Sequence, residues 1–548
     1  MMLAERRAWT VAVVLLVAYA AVFVVLSPLP LQDFSGHLAR ALAMSDLIFH
    51  GGTEFGSLFS YHFLLVPYLL GDLILTWAVG LLGLTAGSAL WSVLVFLSLP
   101  CAALFYLKVS AIAVAQRPLV VLLCLYLATD WFFLVGFMSF RVAVAMTLAT
   151  LALAGALRRN GSKPLYAIYF CAVVLSYLMH FSTTAFLVAA LGVTSLLKLR
   201  DGTTSLRTEL LIALPLAVVL AWHFGVVRFL HEPGDVISNT YVWGTWQGKL
   251  LRLDSAFIRF MPRTDELLLL VFAVAVLLAC GIPRKDSIRN PQVSELLVLS
   301  ATFLAMYFVL PMGYSEAWYV DVRPLPLASL FLMFACLAVP PSQRPSPSPS
   351  QPRSQPRSHP PPQASSQPSS QPSSQPPSHP PLQPPSDAQS LRQSAAVLLA
   401  TLLAIGNLAY LTRHLVRDRS WVGQYRAVVA AIPQHGRVLP VFTYGREGTI
   451  VPFLHVGNFA TIDRAAAAPY VFASDNGNPM KYFRYVHRPY DPAHLWYSDV
   501  PPGKVDWAAV ARDYDYLIVT RPFDPTRLGL ATRTVAQNSS AALLAIAR

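Results

Sequence analysis

Long apolar runs, broken by short and mostly basic segments, fill the chain up to about residue 340. A membrane-spanning helix needs about 20 predominantly apolar residues. Stretches near 9–29, 87–107, 118–130, 138–157, 164–182, 183–199, 208–230, 265–283, 293–312, 324–340 and 394–412 meet or approach that length, so the pattern predicts about eleven spans. The stretch at 118–130 is short and must borrow from its flanks. A further apolar stretch, 62–84, is interrupted by Pro67, Gly71 and Asp72 and decides the topology. Ahead of it, residues 28–40 follow directly on the first span. A helix starting after Pro30 stacks Asp33, His37 and Arg40 on one face, because positions i, i+4 and i+7 align. Phe34, Leu38, Leu42 and Ile48 then form the opposite face, so the segment reads as amphipathic and suited to lie along the membrane surface. Asp33 either caps this helix, its carboxylate accepting a backbone N–H, or does chemistry.

Beyond residue 412 the pattern becomes that of a soluble domain. Trp421, Tyr425, Val428, Val429 and Ile432 have helical spacing, stopped by Pro433 and Gly436. Residues 437–442 read as a strand, 506–512 as a helix, 516–519 as a strand and 542–547 as a last strand, which suggests a small α/β domain. Between the last two spans lie Ser-Gln-Pro repeats such as Gln367-Pro368-Ser369-Ser370. Such a sequence buries no core and reads as a disordered, partly polyproline-II linker. The expected organisation is a transmembrane domain over 1–340 with its first outside loop at 29–61, a cytoplasmic Pro/Ser/Gln-rich linker over 341–392, a last transmembrane helix over 393–412 and an extracytoplasmic α/β domain over 413–548. The fold class is mostly α, a polytopic α-helical membrane protein.

Composition agrees. Of 548 residues only 13% are charged, where a soluble domain carries about 25%; the mean hydropathy is +0.51. The net charge of +13 does not point to nucleic acid, because much of it sits in short clusters between apolar runs, as the positive-inside rule expects. With Arg6 and Arg7 inside and 62–84 not crossing, the clusters Lys108/Arg117, Arg158/Arg159/Lys163, Lys198/Arg200/Arg207 and Arg284/Lys285/Arg289 all face the cytoplasm. The 62–84 stretch is therefore read as surface-lying or re-entrant, paired with 33–50. The N-terminus is expected inside an inner (cytoplasmic) membrane, held by a retained signal anchor, with the C-terminal domain outside. Cys101, Cys124, Cys171, Cys280 and Cys336 lie in apolar runs and read as membrane thiols, not disulfides or thiolate metal ligands.

No G-x-x-x-x-G-K-[ST], strand-linked G-x-G-x-x-G, H-E-x-x-H or G-x-S-x-G occurs, which argues against ATP-driven pumps, dinucleotide oxidoreductases and the familiar hydrolases. What remains is ionisable groups gathered at one membrane face. The pattern Pro30-x-x-Asp33-x-x-x-His37, the aromatic Gly136-Phe137-Met138-Ser139-Phe140 and Tyr177-x-x-His180, set in this order of loops and spans, resembles the GT-C class of membrane glycosyltransferases over about 29–412. The resemblance implies a GT-C-like fold, a polyprenyl-phosphate-linked sugar as donor, and transfer of a hexosyl or pentosyl group to a cell-envelope glycan, lipid or protein outside the membrane. Phe34 follows Asp33 where better-defined subfamilies carry an acidic pair, which leaves the cofactor, a divalent cation or none, open.

Transfer from a sugar phosphate to a hydroxyl needs a base for the acceptor proton and positive charge for the leaving phosphate. Asp33 is the candidate base. His37 would orient it, hold a metal or contact the acceptor, and Arg40 would contact substrate. Asp130 is the second catalytic candidate, since an ionisable group at a span end is costly and usually functional; its bland alternative is a carboxylate exposed at the interface. Phosphate-binding cations could be Lys249, Arg252, Arg259 or Arg263, or Arg323, whose alternatives are a pair with Asp321 or snorkelling. Arg141, inside a span, must face protein or a cavity. His180, His223 and His231 more often make helix–helix hydrogen bonds than bind metal, although His180 is also a substrate-contact candidate. Tyr241, Trp243 and Trp246 would stack on a sugar or anchor at the interface. In the tail, His455, Asp463, Asp475, Asn476 and Asn478 could contact an acceptor. A transporter or flippase of a lipid-linked intermediate, and a non-catalytic envelope-assembly protein, are the alternatives from other classes.

Overall fold

The computed structural model describes residues 2–114, 116–227, 241–280, 290–314, 317–338, 387–442, 454–469, 471, 482–487, 489–490, 505–521 and 528–547. His231, Arg284, Lys285, Arg289, Glu316, Asp475, Asn476, Asn478 and the insert up to residue 386 lie outside them. In order the elements are α1 (Met2–Leu26), α2 (Phe34–Phe49), β1 (Phe59–Tyr61), α3 (Leu69–Val109), α4 (Arg117–Ala128), α5 (Trp131–Val135), α6 (Met138–Arg159), α7 (Lys163–Met179), α8 (Phe181–Arg200) and α9 (Leu206–Gly225). Then follow β2 (Tyr241–Val242), α10 (Trp246–Leu250), α11 (Pro262–Cys280), α12 (Pro291–Val309), β3 (Gly313–Tyr314), β4 (Ala317–Trp318), α13 (Leu325–Leu337) and α14 (Asp387–Val429). The last part holds β5 (Val438–Val441), α15 (Phe459–Arg464), β6 (Phe483–Tyr485), α16 (Trp507–Asp513), β7 (Tyr516–Thr520), β8 (Thr532–Gln537) and β9 (Ala541–Ile546).

Each of the eleven apolar stretches carries a helix. Among the described residues seven helices (α1, α3, α6, α8, α9, α12 and α14) are long and apolar enough to cross a membrane, and α4, α7 and α13 are apolar but shorter. The eleventh, α11, begins with Arg263, Asp265 and Glu266 before its apolar run. The chain is a mostly α, polytopic membrane protein.

Three boundaries differ from the sequence reading. Helix α3 starts at Leu69, so Gly71 and Asp72 lie in its first turn and do not interrupt it; the break comes at Gly83 (φ 79°, ψ 167°). A Cβ on Gly87 would lie 2.5 Å from the Ala78 carbonyl oxygen, so the chain folds sharply at Gly83 and its two halves touch, which only a glycine allows. The last span and the helix expected over 421–432 are one continuous α14, because residues 387–392 and the 413–420 segment also carry helix formers and no Gly or Pro. Helix α2 is not half exposed: Phe34, Leu38, Arg40, Met44 and Asp46 are all buried.

The basic loops meet at one end of the bundle. Arg159 donates to the Val109 carbonyl, Arg158 Nη2 lies 2.8 Å from Glu209 Oε2 and Lys198 Nζ 2.7 Å from Glu295 Oε2. At the other end, α2 packs on the first half of α3, where Gly80 lies against Ser45 and Phe49 and Phe49 meets Trp77 edge-on. Helices in lipid gain no hydrophobic drive from one another and rely on close packing at small residues. Gly71 shows this, since a Cβ there would meet Ser139 Oγ at 2.2 Å and so α3 lies tight on α6.

The C-terminal part is a four-stranded sheet in the order β5-β7-β9-β8, with β5 and β7 parallel and the other pairs antiparallel. Leu439, Leu517, Val519, Leu544 and Ile546 pack with Val510 and Tyr514 of α16 and its end. Strand β8 escaped the sequence reading because Thr532-Arg533-Thr534 is polar, with Arg533 and Thr534 exposed, as suits an edge strand.

Candidate functional site

Asp33 sits just before α2 and does not cap it with its side chain; the Gly36 and His37 amides bond its backbone carbonyl instead. That overturns the capping alternative. The Asp33 amide donates to the Val135 carbonyl at 2.7 Å, which ties it to the corner between α5 and α6. Gly136 in that corner has φ 96°, and a Cβ on it would lie 2.9 Å from the Phe34 nitrogen and 3.2 Å from the Asp33 nitrogen. Gly136→Ala is therefore expected to cost about 1–3 kcal/mol through backbone strain and to displace Asp33; thermal melting and transfer assays on the purified variant check this, and an unchanged melt contradicts it.

Asp33 is 7% exposed and its Oδ1 accepts no hydrogen bond among the described residues. His455 Nε2, from the C-terminal part, lies 3.4 Å from that oxygen. Burial, only partly offset by a hydrogen bond from Gln32, raises the carboxyl to about 7. Burial, and then the nearby His37, pushes His455 down to about 3. Ser35 Oγ donates to the His455 carbonyl at 2.7 Å and holds this segment on α2.

The helical face drawn from sequence is real, but its cation is taken. Arg40 Nη2 donates to Asp72 Oδ1 at 2.5 Å and to His37 Nδ1 at 2.8 Å, and Tyr482 donates its hydroxyl to Asp72. Burial, then the Arg40 charge, holds His37 well below the usual imidazole range and thus neutral. Neither Asp72 nor Tyr482 was singled out from sequence as a site residue. Asp72 carried a usable signal, a carboxylate in an apolar stretch; Tyr482 carried none.

A second group lies beyond the same corner. Arg323, just ahead of α13, places Nη1 3.2 Å from His180 Nε2 and 3.1 Å from Ser182 Oγ. Its guanidinium rests over the rings of Phe137 and Phe140, 5.5 and 5.7 Å from their centroids. The expected alternative, a pair with Asp321, is not made: Asp321 lies 3.7 Å from Lys249 Nζ and 3.6 Å from Arg252 Nη2. The sequence patterns at 136–140 and 177–180 thus converge, and Tyr177 itself lies 3.2 Å from His223 Nδ1.

Other candidates are engaged in holding the fold. Asp130 is buried, not exposed at an interface: Oδ1 accepts from the Phe133 amide and Oδ2 from Arg141 at 2.8 Å. A carboxylate so paired is poorly placed to act as a second base. Lys249 is buried and donates to the Tyr307 and Phe308 carbonyls. Arg259 binds Asp265 at 2.9 Å, Asn407 at 2.6 Å and the Thr129 carbonyl. Arg252 bonds the Gly248 carbonyl. None of these three is presented to a phosphate near Asp33. Arg263, Trp243 and Trp246 are exposed, Trp246 stacking on Phe308, and Asp463 pairs with Arg426 at 2.6 Å. Among the described residues no group of three or more His, Cys, Asp or Glu is arranged to hold a metal ion.

Fold and site together define a polytopic α-helical membrane protein with a buried polar centre at the end of the bundle away from its basic loops. No protein-family model matches the chain, and no curated protein matches it in sequence. Among solved structures it is similar to the crystal structure of ArnT from Cupriavidus metallidurans in the apo state, with 97% of each chain covered, 11% sequence identity and a TM-score of 0.46. A likeness at that level carries no chemistry, which has to come from the residues.

Proposed function

We propose that the protein is a membrane glycosyltransferase of GT-C type, moving a sugar from a polyprenyl-phosphate carrier to a hydroxyl of a cell-envelope glycan, lipid or protein on the extracytoplasmic face. The observation that carries this reading is the corner formed by Val135, Gly136 and Phe137. Val135 binds the amide of the buried Asp33, and the Phe137 ring carries the Arg323 guanidinium, which is bonded to His180. Asp33 takes the acceptor proton as the acceptor oxygen bonds to the anomeric carbon. The bond from that carbon to the phosphate oxygen breaks, and its electron pair leaves with the polyprenyl phosphate. Arg323 meets the developing charge, since guanidinium binds phosphate in a bidentate fork. A phosphate leaving group needs no second, acidic carboxyl, consistent with Asp130 being committed to Arg141. The basic loops at the other end support an outward-facing centre, by the positive-inside rule, with the donor's lipid tail in the bilayer.

The test is transfer from labelled polyprenyl-phosphate sugars by the full chain in vesicles; protein-dependent label on an acceptor is expected, and none from any donor sinks the reading. Because the base must be ionised, its raised pKa has a consequence. Turnover should climb with pH through about 7 and fall about tenfold per pH unit below that. A profile flat between pH 5 and 8 would rule Asp33 out as the base.

A further inference from the structure

The C-terminal part is built into the Asp33 site. Strands β1 and β6 pair across the two parts, Phe59 against Tyr485 and Tyr61 against Phe483, with the His62 amide bonded to the Tyr482 carbonyl and the Val486 amide to the Leu58 carbonyl, each at 2.8 Å. Ser35 and Asp72 each receive or supply a bond across this seam. His455 is carried on it, 4% exposed, with Nε2 at Asp33 Oδ1.

From this geometry, and resting on the transferase reading above, we infer that His455 is a positioning residue: its Nε2–H steadies the ionised Asp33 carboxylate in the orientation that receives the acceptor proton. The separation of 3.4 Å exceeds an N–H···O bond of about 2.9 Å, and contraction is expected once Asp33 is charged, since bonds to an anion are shorter and stronger. A neutral imidazole suits this role, because it donates without competing for the proton. Among the described residues the titratable groups around Asp33 are His37 on its own helix and His455 from the C-terminal part, with Arg40, Asp72 and Tyr482 linked behind His37. The extracytoplasmic domain is on this view a working part of the centre.

The test uses a hydrophobic carbodiimide, which modifies protonated carboxyls, on the full-length protein at a series of pH values, with Asp33 labelling read by peptide mass spectrometry. His455→Ala should move the Asp33 midpoint up by about one pH unit, a tenfold change in its ionisation, and lower kcat about tenfold or more with the donor KM little changed. His455→Gln, which keeps a donor, should restore most of both. Ser35→Ala, which only loosens the His455 backbone, should shift the midpoint the same way by less and serves where the alanine variant at 455 does not fold. An unmoved midpoint in both His455→Ala and Ser35→Ala overturns the inference. A shifted midpoint in a protein that transfers no sugar upholds the Asp33–His455 couple and overturns the transferase reading alone.

Discussion

Replacing Asp33 by asparagine is expected to lower turnover by about 10² to 10⁴, the usual contribution of a general base, while leaving the protein folded. The amide has nearly the same shape but cannot take a proton from the acceptor. Its effect on stability should have the opposite sign. The folded-state pKa of Asp33 lies above its unfolded value because burial disfavours the charge. The linked contribution is therefore fully present below the unfolded carboxylate pKa and is lost as pH rises through about 7. Above that pH the wild type carries a buried anion and Asp33→Asn does not, so the variant should melt no lower, and higher at pH 8. Loss of activity together with unchanged or raised melting temperature separates a catalytic carboxylate from a structural one. If Asp33→Asn transfers sugar as well as wild type at equal abundance, the site assignment fails.

Asp72→Ala should act the other way, on folding first. It removes the carboxylate bound to the fully buried Arg40 guanidinium and the acceptor of the Tyr482 hydroxyl. Breaking one partner of a buried ion pair typically costs about 3–5 kcal/mol, because the remaining charge is left without compensation. Much of a domain's stability is of that size, so the variant is expected to accumulate poorly and to melt far below wild type. The C-terminal part should also become open to protease, since Asp72 ties it to α3. A double variant, Asp72→Leu with Arg40→Met, removes both charges and should recover a large share of the loss. Melting of Asp72→Ala within about 1 °C of wild type would show that the pair contributes little.

The two expectations part the centre into an acting half and a holding half, a distinction the sequence did not make. Along α2, Asp33, His37 and Arg40 were correctly placed on one face, because helical spacing is local. That Arg40 is consumed by Asp72 and not offered to substrate depends on α3 folding back beside α2. Lys249, Arg252 and Arg259 were attractive for the same local reason, as cations in an outside loop. Their partners, the Tyr307 and Phe308 carbonyls, Asp321 and Asp265, come from packing that no pattern of charges along the chain reveals. Arg323 stays a phosphate candidate because it sits with His180 and the Phe137 and Phe140 rings, next to the corner that binds the Asp33 amide.

By itself the sequence determined the helices of the apolar stretches, the gathering of basic loops at one end, and most strands of the C-terminal sheet. These follow from the length and period of apolar runs, which a bilayer or a small core reads residue by residue. The tertiary structure decided which charges are available. It placed Gly136 behind Asp33, turned the chain at Gly83, paired β1 with β6 and brought His455 and Tyr482 to partners 420 and 410 positions earlier. The reason is physical: a buried charge is settled by whichever partner reaches it in space, and separation along the chain places no limit on that partner.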